Sequence, residues 1–381
     1  MIKVLTVFGT RPEAIKMAPL VKKLEEHPEI ESRVLVTAQH REMLDMVLEL
    51  FQIKPHYDLN IMKERQTLTG VTTRVLEGIE KVFANEKPDL VLVHGDTTTT
   101  FTASLVSFYH KISVGHVEAG LRTSNKYSPF PEEINRRLTG SLADLHFAPT
   151  AIAKNNLLRE NTPEKGIFIT GNTVIDALLS AVNKNFAFEG RLKSIDFVGK
   201  KVVLVTAHRR ENLGRPMENI FTALKEIVEG NEQVEVVFPV HKNPRVREHA
   251  YSVLAGLERV HLIEPLDYEP FINLMDRSYM VLTDSGGMQE EAPALGKPVL
   301  VLRDTTERPE AVEAGTVKLV GTDKKQIIAA AMELLTDKRE YDKMANAVNP
   351  YGDGRASERI VQALLYYFGR KSHPPREWSL N

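Results

Sequence analysis

Thr283-Asp-Ser-Gly-Gly-Met-Gln-Glu-Glu-Ala-Pro-Ala-Leu-Gly-Lys-Pro-Val-Leu-Val-Leu-Arg303 is the stretch whose reading fixes the fold of this chain. An apolar strand over Tyr279–Thr283 runs into Ser285-Gly286-Gly287, then a short helix, then a buried strand from Pro298 to Leu302. That order is the phosphate-binding unit of a doubly wound α/β sheet. Two glycines remove the Cβ atoms that would hold a ligand off the backbone, and the first N–H groups of the helix face outward with partial positive charge. Glu290 and Glu291 follow in the first turns, where a carboxylate can accept from sugar hydroxyls. The stretch implies a nucleotide with a diphosphate.

Working outward, short Val/Ile/Leu runs alternate with amphipathic segments along the whole chain, the pattern of parallel sheets with helical crossovers. The first half predicts strands at Lys3–Phe8, Arg33–Thr37, Asp89–His94, Ile112–Val117 and Leu145–Ala148. The second half predicts Lys201–Thr206, Val234–Val240, Val260–Ile263, Tyr279–Thr283, Pro298–Leu302 and Val317–Val320. Two doubly wound, Rossmann-like α/β domains facing across a cleft are expected. The first covers residues 1–170 and the second, nucleotide-binding one 171–355, with a hinge near residue 170. An amphipathic helix over about 356–369 is expected to pack back on the first domain, and 370–381 to form a flexible tail. Met43, Met46, Val47 and Leu50 recur at helical spacing, so a helix is expected there with its methionines in the core.

At 381 residues the chain is too long for one ordinary core. Its 49 basic and 51 acidic residues leave no excess field for nucleic acid or an anionic membrane, so any phosphate must be met by locally placed cations. The absence of cysteine excludes disulfides, thiol catalysis and thiolate metal sites. The apolar runs are strand-sized, and Met1–Phe8 has the pattern of a buried strand, not of a signal peptide. A cytoplasmic enzyme fits this composition.

The strand ends then supply candidate chemistry. Gly9-Thr10-Arg11-Pro12-Glu13 follows the first strand. Thr10 and Glu13 form a capping box, which leaves Arg11 free to meet a phosphate or carboxylate. The next two strands end in His94-Gly-Asp96 and His116-Val-Glu118. Asp96 reads either as the N-cap of a helix beginning at Thr97 or as half of an acid–base pair with Glu118. The period-two spacing of these histidines and acids does not demand a metal, and none is expected. Pro129-Phe-Pro131-Glu132-Glu133 opens a helix, and the spacing alone makes Glu132/Arg136 and Glu133/Arg137 surface ion pairs. In the second half, Ala207-His208-Arg209-Arg210-Glu211-Asn212 follows an apolar strand, and His241-Lys242-Asn243-Pro244 repeats the arrangement. Arg303 and Arg308 lie past the strand after the glycine turn, placed to hold a diphosphate.

Taken together, Phe8–Leu20, His94–Thr100, Gly115–Arg122, Pro129–Arg136, Thr206–Asn212 and Asp284–Glu291 resemble the bacterial non-hydrolysing UDP-N-acetylglucosamine 2-epimerases, which are built on the GT-B architecture. The resemblance extends in order from the first strand to about Gly369. It implies UDP held mainly on the second domain. Ser285, Gly286 and Gly287 would take phosphate, Glu291 the ribose, and Phe271 would lie near uracil. Arg11, Lys16, His208 and Arg308 would complete the substrate contacts. It assigns Asp96, Glu118, Glu132 and His208 to catalysis, overruling the structural reading of Glu132. No cofactor is implied.

The resemblance further implies a homodimer and a second UDP-N-acetylglucosamine acting as activator, with Gln39, His40, Arg65, Arg209 and His241 at the matching positions. The reaction implied is reversible epimerisation at carbon 2 of UDP-N-acetylglucosamine to UDP-N-acetylmannosamine, by elimination of UDP and re-addition. It would supply N-acetylmannosamine units for cell-surface polysaccharide. A hydrolysing 2-epimerase, a GT-B glycosyltransferase and a UDP-sugar sensor are the competing readings of the same cradle.

Overall fold

The computed structural model describes residues 1–38, 41–63 and 66–380. Two compact α/β units emerge, one built from residues 1–180 and 351–379, the other from 181–350.

The first unit alternates β1 (Ile2–Phe8), α1 (Arg11–Glu25), β2 (Ile30–Val36), α2 (Arg41–Leu50), β3 (Tyr57–Asp58), α3 (Leu68–Phe83), β4 (Leu90–His94) and α4 (Thr98–Tyr109). It continues through β5 (Ser113–Val117), α5 (Glu132–Leu142), β6 (Leu145–Ala148), α6 (Ala151–Arg159), β7 (Ile167–Ile169) and α7 (Thr173–Ala181). The strands form one parallel sheet in the order β3-β2-β1-β4-β5-β6-β7. Strands such as β4 are buried along their whole length because helices cover both faces of a parallel sheet. The helices pack by stripes: α3 buries Val71, Val75, Ile79 and Val82 at three- and four-residue spacing against Leu5, Val91 and Val93 of the sheet. Strand order reverses between β1 and β4. A crevice opens at the carboxyl ends of such strands, so the turns after β1 and β4 are where this unit is built to meet a ligand.

The second unit runs β8 (Lys201–Thr206), α8 (Arg215–Glu229), β9 (Val234–Pro239), α9 (Pro244–Leu254), β10 (Val260–Ile263), α10 (Tyr268–Arg277), β11 (Met280–Thr283) and α11 (Met288–Ala294). Then come β12 (Val299–Val301), α12 (Pro309–Glu313), β13 (Val317–Leu319), α13 (Lys324–Thr336) and α14 (Lys338–Ala345). Its parallel sheet has the order β10-β9-β8-β11-β12-β13, and the reversal falls between β8 and β11. Met217, Phe221 and Leu224 of α8 fill the core against Val203, Val205 and Phe238. Phe221 and Phe238 meet with ring centroids 5.6 Å apart. Truncating such a fully buried ring to alanine costs about 3–5 kcal/mol.

Helix α15 (Ala356–Tyr367) returns to the first unit and packs on α1. Its first N–H groups are met by Asp176 of α7, which accepts from Ala356 N at 3.1 Å and Ser357 N at 2.7 Å. The change of unit falls after Ser180, about ten residues beyond the hinge expected near residue 170, because α7 stays with the first sheet.

Several expectations need correction. Met43 and Met46 are 44% and 42% exposed, and the buried stripe of α2 is Leu44, Val47 and Leu48. The helix is there, but its core-facing side is offset by one residue from the methionines. The sequence reading does not predict strands β3 and β7, two and three residues long at the two edges of the sheet. The chain after Gly369 is not a loose tail. Trp378 N donates to Ile169 O at 2.8 Å and Ile169 N to Glu377 Oε1 at 3.2 Å, so the tail covers the free edge of β7. The Arg359 guanidinium sits 5.5 Å from the centre of the Trp378 ring and fixes the indole.

Candidate functional site

At the end of β1, Gly9 has no room for a side chain: a Cβ would come within 2.0 Å of Thr37 Oγ1. Glu13 does form the capping box, but its carboxylate does more than cap. Oε2 accepts from Gly9 N (3.1 Å), Thr10 N (2.8 Å) and Thr10 Oγ1 (2.8 Å). Oε1 accepts from Thr97 Oγ1 (2.7 Å) and Thr100 Oγ1 (3.2 Å) of the turn after β4. One buried carboxylate therefore ties together the two turns at the strand-order reversal. Burial pushes its pKa up, against the pull of those donors. Arg11 stands beside it in the first turn of α1, with no ion-pair partner among the described residues.

After β4 the N-cap of α4 is Thr97, whose Oγ1 accepts from Thr100 N at 3.2 Å. Asp96 is thus not the cap, and its carboxylate is turned elsewhere. Arg136 reaches Asp96 Oδ2 with Nε at 2.9 Å and Nη2 at 2.7 Å, while Asn135 Nδ2 donates to Asp96 O at 2.9 Å. This overturns the surface pairing of Glu132 with Arg136. Arg136 also approaches Glu133 Oε2 at 3.3 Å, leaving Glu132 half-buried and without an ion pair among the described residues. Glu133 is fully buried, not a surface acid. It accepts from Thr123 N (3.0 Å), Ser124 N (3.2 Å) and Arg137 Nε (3.3 Å), so it anchors the loop before α5.

Glu118, just past β5, sits at φ +60°, a left-handed backbone that turns its carboxylate back over the β4 end. Lys16 of α1 donates to Glu118 Oε2, Asn172 Nδ2 donates to the same oxygen at 2.9 Å, and His94 Nε2 lies 3.7 Å away. A Cβ on Gly95 would stand only 3.8 Å from Glu118 Oε1, so this carboxylate lies beside the residue that precedes Asp96. Three histidines are buried in this sheet, His94 on β4, His116 on β5 and His146 on β6. Burial lowers His94 to about 4, His116 to about 3 and His146 to about 4, so all three are neutral near pH 7. Among the described residues no group of three or more His, Asp or Glu could hold a metal ion.

In the second unit, Asp284 follows β11 and is completely buried. It accepts from His208 N (2.9 Å), Arg209 N (2.8 Å) and Asn212 Nδ2 (3.1 Å), and so fixes the loop after β8. The His208 ring stacks on His241 with centroids 5.4 Å apart and an 18° tilt, and its Nδ1 lies 3.4 Å from Asp284 Oδ1. Burial lowers the His208 pKa although Asp284 pulls the other way.

Ser285 N turns inward to Thr283 Oγ1 at 2.9 Å. The N–H groups of Gly286 and Gly287 have no protein acceptor among the described residues. Neither glycine has a left-handed φ, so what they supply is space. A Cβ on Gly286 would meet Glu307 Oε1 at 3.3 Å. Of the second unit's cations expected at the diphosphate, Arg308 is held by Glu290 and Arg303 by Glu211 at 2.9 Å and Glu307 at 2.6 Å; Arg209, expected at the activator, is held by Glu307 at 3.0 Å. Phe271 is half-buried in the first turn of α10. Glu291 lies near the buried phenol of Tyr268, whose pKa burial, and then that carboxylate, raise well above its ordinary value.

In the first unit Lys16 therefore meets Glu118 beside Gly95, Arg136 holds Asp96, and Arg11 and Glu132 stand at the starts of α1 and α5. The second gathers His208, Arg209, His241, Ser285, Gly286, Gly287 and Arg308 on turns around its own strand-order reversal. Gln39, His40 and Arg65 lie outside the described residues. Sequence reasoning missed Asp284, Arg136 and the double role of Glu13. Asp284 carried a signal, an acid directly before a Ser-Gly-Gly turn. Arg136 gave none, because its partner lies forty positions back.

Comparison with known proteins bears on the same features. Residues 22–365 match the protein-family model described as UDP-N-acetylglucosamine 2-epimerase. A Bacillus subtilis protein of that name is 62% identical over 375 residues, covering 98% of this chain and 98% of its own length. A crystal structure of a UDP-N-acetylglucosamine 2-epimerase matches with TM-score 0.93 at 58% identity over 99% of both chains. The Neisseria meningitidis UDP-GlcNAc 2-epimerase, solved bound to UDP-GlcNAc, matches with TM-score 0.82 at 54% identity, covering 96% of this chain and 100% of that one.

Proposed function

This chain belongs to the UDP-N-acetylglucosamine 2-epimerase family and has the family's GT-B-like α/β architecture, and from that premise we propose that it interconverts UDP-N-acetylglucosamine and UDP-N-acetylmannosamine by eliminating UDP and adding it back. The hydrogen on carbon 2 neighbours an acetamido group, not a carbonyl, and is not acidic by itself. Removing it is feasible only as the bond from carbon 1 to the UDP oxygen breaks. The electron pair of the C–H bond becomes the carbon 1–carbon 2 double bond, and UDP leaves with the pair of the C–O bond. In the return step a proton adds to carbon 2 from the opposite face and the UDP oxygen attacks carbon 1.

Each charge that develops has a matching group. The leaving diphosphate needs fixed donors, and this reading assigns that role to Arg11, His208, Ser285, Gly286, Gly287 and Arg308. Positive character on the ring near carbon 1 needs carboxylates. Protons handled on two faces need more than one acid–base group, and Asp96, Glu118 and Glu132 meet that need. Glu291 and Phe271 take the ribose and uracil. The observation that carries the reading is the Glu118 carboxylate turned over Gly95, the residue before Asp96, with Lys16 and Asn172 holding it there.

The proposal extends to a homodimer in the cytoplasm whose product feeds cell-surface polysaccharide. It also includes a second UDP-N-acetylglucosamine bound as activator, with Arg209 and His241 among its contacts. The deciding experiment incubates the protein with UDP-N-acetylglucosamine in D2O. Deuterium at carbon 2 of intact UDP-sugars of both configurations supports the reading. Free N-acetylmannosamine indicates hydrolysis, transfer only with an added acceptor indicates a glycosyltransferase, and no exchange indicates a sensor.

A further inference from the structure

We propose that the buried imidazole of His116 is a positioning residue for Asp96, acting through the backbone carbonyl of Gly95. The inference rests on the reading of Asp96 as an acid–base group and adds a residue to it. His116 lies in β5, fully buried, with Nε2 2.7 Å from Gly95 O. A carbonyl oxygen only accepts, so the ring must carry its proton on Nε2.

Gly95 needs this support because its φ of +65° takes the chain out of the β4 strand geometry just before Asp96. Its N–H still donates to Val117 O at 2.9 Å, but its carbonyl has left the ladder. Neighbouring groups have their own partners. His94 O accepts from Thr100 Oγ1 at 2.5 Å, and Asp96 O from Asn135 Nδ2 at 2.9 Å. The Gly95 peptide is thus pinned to β5 at both ends, by a backbone bond and by an imidazole. The Gly95 carbonyl belongs to the same peptide as Asp96 N, so Asp96 hangs directly from the group that the imidazole holds. With its pKa lowered to about 3 by burial, His116 does not titrate in the working range, and its contribution is geometric.

The variants His116→Asn and His116→Leu test this, because neither can reach Gly95 O. Each should lower kcat by about 10- to 100-fold, the cost of a displaced catalytic group. KM and UDP affinity should stay within about twofold, since the nucleotide contacts lie elsewhere. His116→Gln carries an N–H at nearly the reach of Nε2 and should recover most of the turnover. In an Asp96→Asn background, His116→Asn should cost nothing further, because its effect passes through the missing carboxylate. Full turnover of His116→Asn, or an undiminished loss in the Asp96→Asn background, overturns the proposal. Should the Asn and Leu variants not fold, nitrogen-15 spectra of labelled histidine in the wild-type protein decide. An Nε2–H tautomer at His116 is expected, and Nδ1–H refutes it. Failure of the wild-type protein to exchange deuterium at carbon 2 would instead remove the epimerase reading, independently of the tautomer.

Discussion

Arg136 holds Asp96 with two nitrogens on a single oxygen, Nε at 2.9 Å and Nη2 at 2.7 Å from Oδ2. The other oxygen, Oδ1, is not engaged by that grip. A carboxylate so oriented can accept a proton along one defined direction. Asp96→Asn keeps the shape and removes the basic oxygen, so turnover should fall by about 10²- to 10⁴-fold while UDP binding persists. Near-normal turnover measured by deuterium incorporation would refute the role. Arg136→Lys retains charge but loses the planar fork, and should cost about 10-fold or more in kcat.

Glu118 is held differently, by an ammonium and an amide on the same oxygen, Lys16 and Asn172. Glu118→Gln leaves a side chain of equal size with no charge for Lys16 to meet. Its turnover should also drop by about 10²-fold or more, with UDP affinity unchanged by calorimetry. If Glu118→Gln weakens UDP binding and leaves turnover per bound substrate intact, the residue is part of the binding site and not of the chemistry.

The limits of sequence reading follow from these contacts. Parallel strands buried on both faces announce themselves as apolar runs, and both sheets are legible except for β3 and β7, the two edge strands of the seven-stranded one. The strand ends mark Arg11, Asp96, Glu118 and Ser285-Gly286-Gly287, because polar residues directly after apolar strands lie at the carboxyl end of the sheet. Helical spacing misled where two geometries compete for one side chain. Arg136 sits four residues after Glu132, yet a carboxylate from another turn of the same unit takes it. Likewise, α2 buries Leu44, Val47 and Leu48, a stripe that shares only Val47 with the pattern expected from Met43 and Met46. The tail reads as loose because it carries Pro374, Pro375 and few apolar residues, and what holds it is the edge of β7.

Binding of UDP should depend on the second unit. Arg308 is paired with Glu290 in this structure, so a diphosphate has to draw the guanidinium away from that carboxylate. Arg308→Ala should still weaken UDP binding, since hydrogen bonds to charged groups contribute about 1.5–3 kcal/mol, or about 10- to 150-fold in Kd. Ser285→Ala should have a smaller effect of the same sign. Unchanged affinity in both variants, measured by calorimetry, would remove the phosphate-site assignment. Glu290→Gln should act in the opposite direction, tightening UDP by loosening the internal partner.

The buried histidines predict how stability depends on pH. Burial lowers His94 to about 4, His116 to about 3 and His146 to about 4, whereas an unfolded chain protonates histidine near 6.5. Above about pH 6.5 neither state binds these protons and the terms are silent. As pH falls below 6.5, the unfolded chain takes up protons that the folded one refuses, and each histidine removes up to about 1.4 kcal/mol of stability per pH unit until its folded pKa is reached. Glu13 and Asp176 oppose this, because burial raises their pKa values and the folded state then gains stability as they protonate. The net slope therefore mixes signs, and a single substitution isolates one term. His146 lies on β6, two strands from β4, and its removal leaves the acid cluster in place. Urea unfolding of wild type and His146→Gln at pH 7.5, 6 and 5 should show parallel stabilities at the upper value. Between pH 6 and 5 the variant should lose about 1 kcal/mol less than wild type. Identical losses over that interval would mean His146 titrates alike in both states, and that its burial does not keep it neutral.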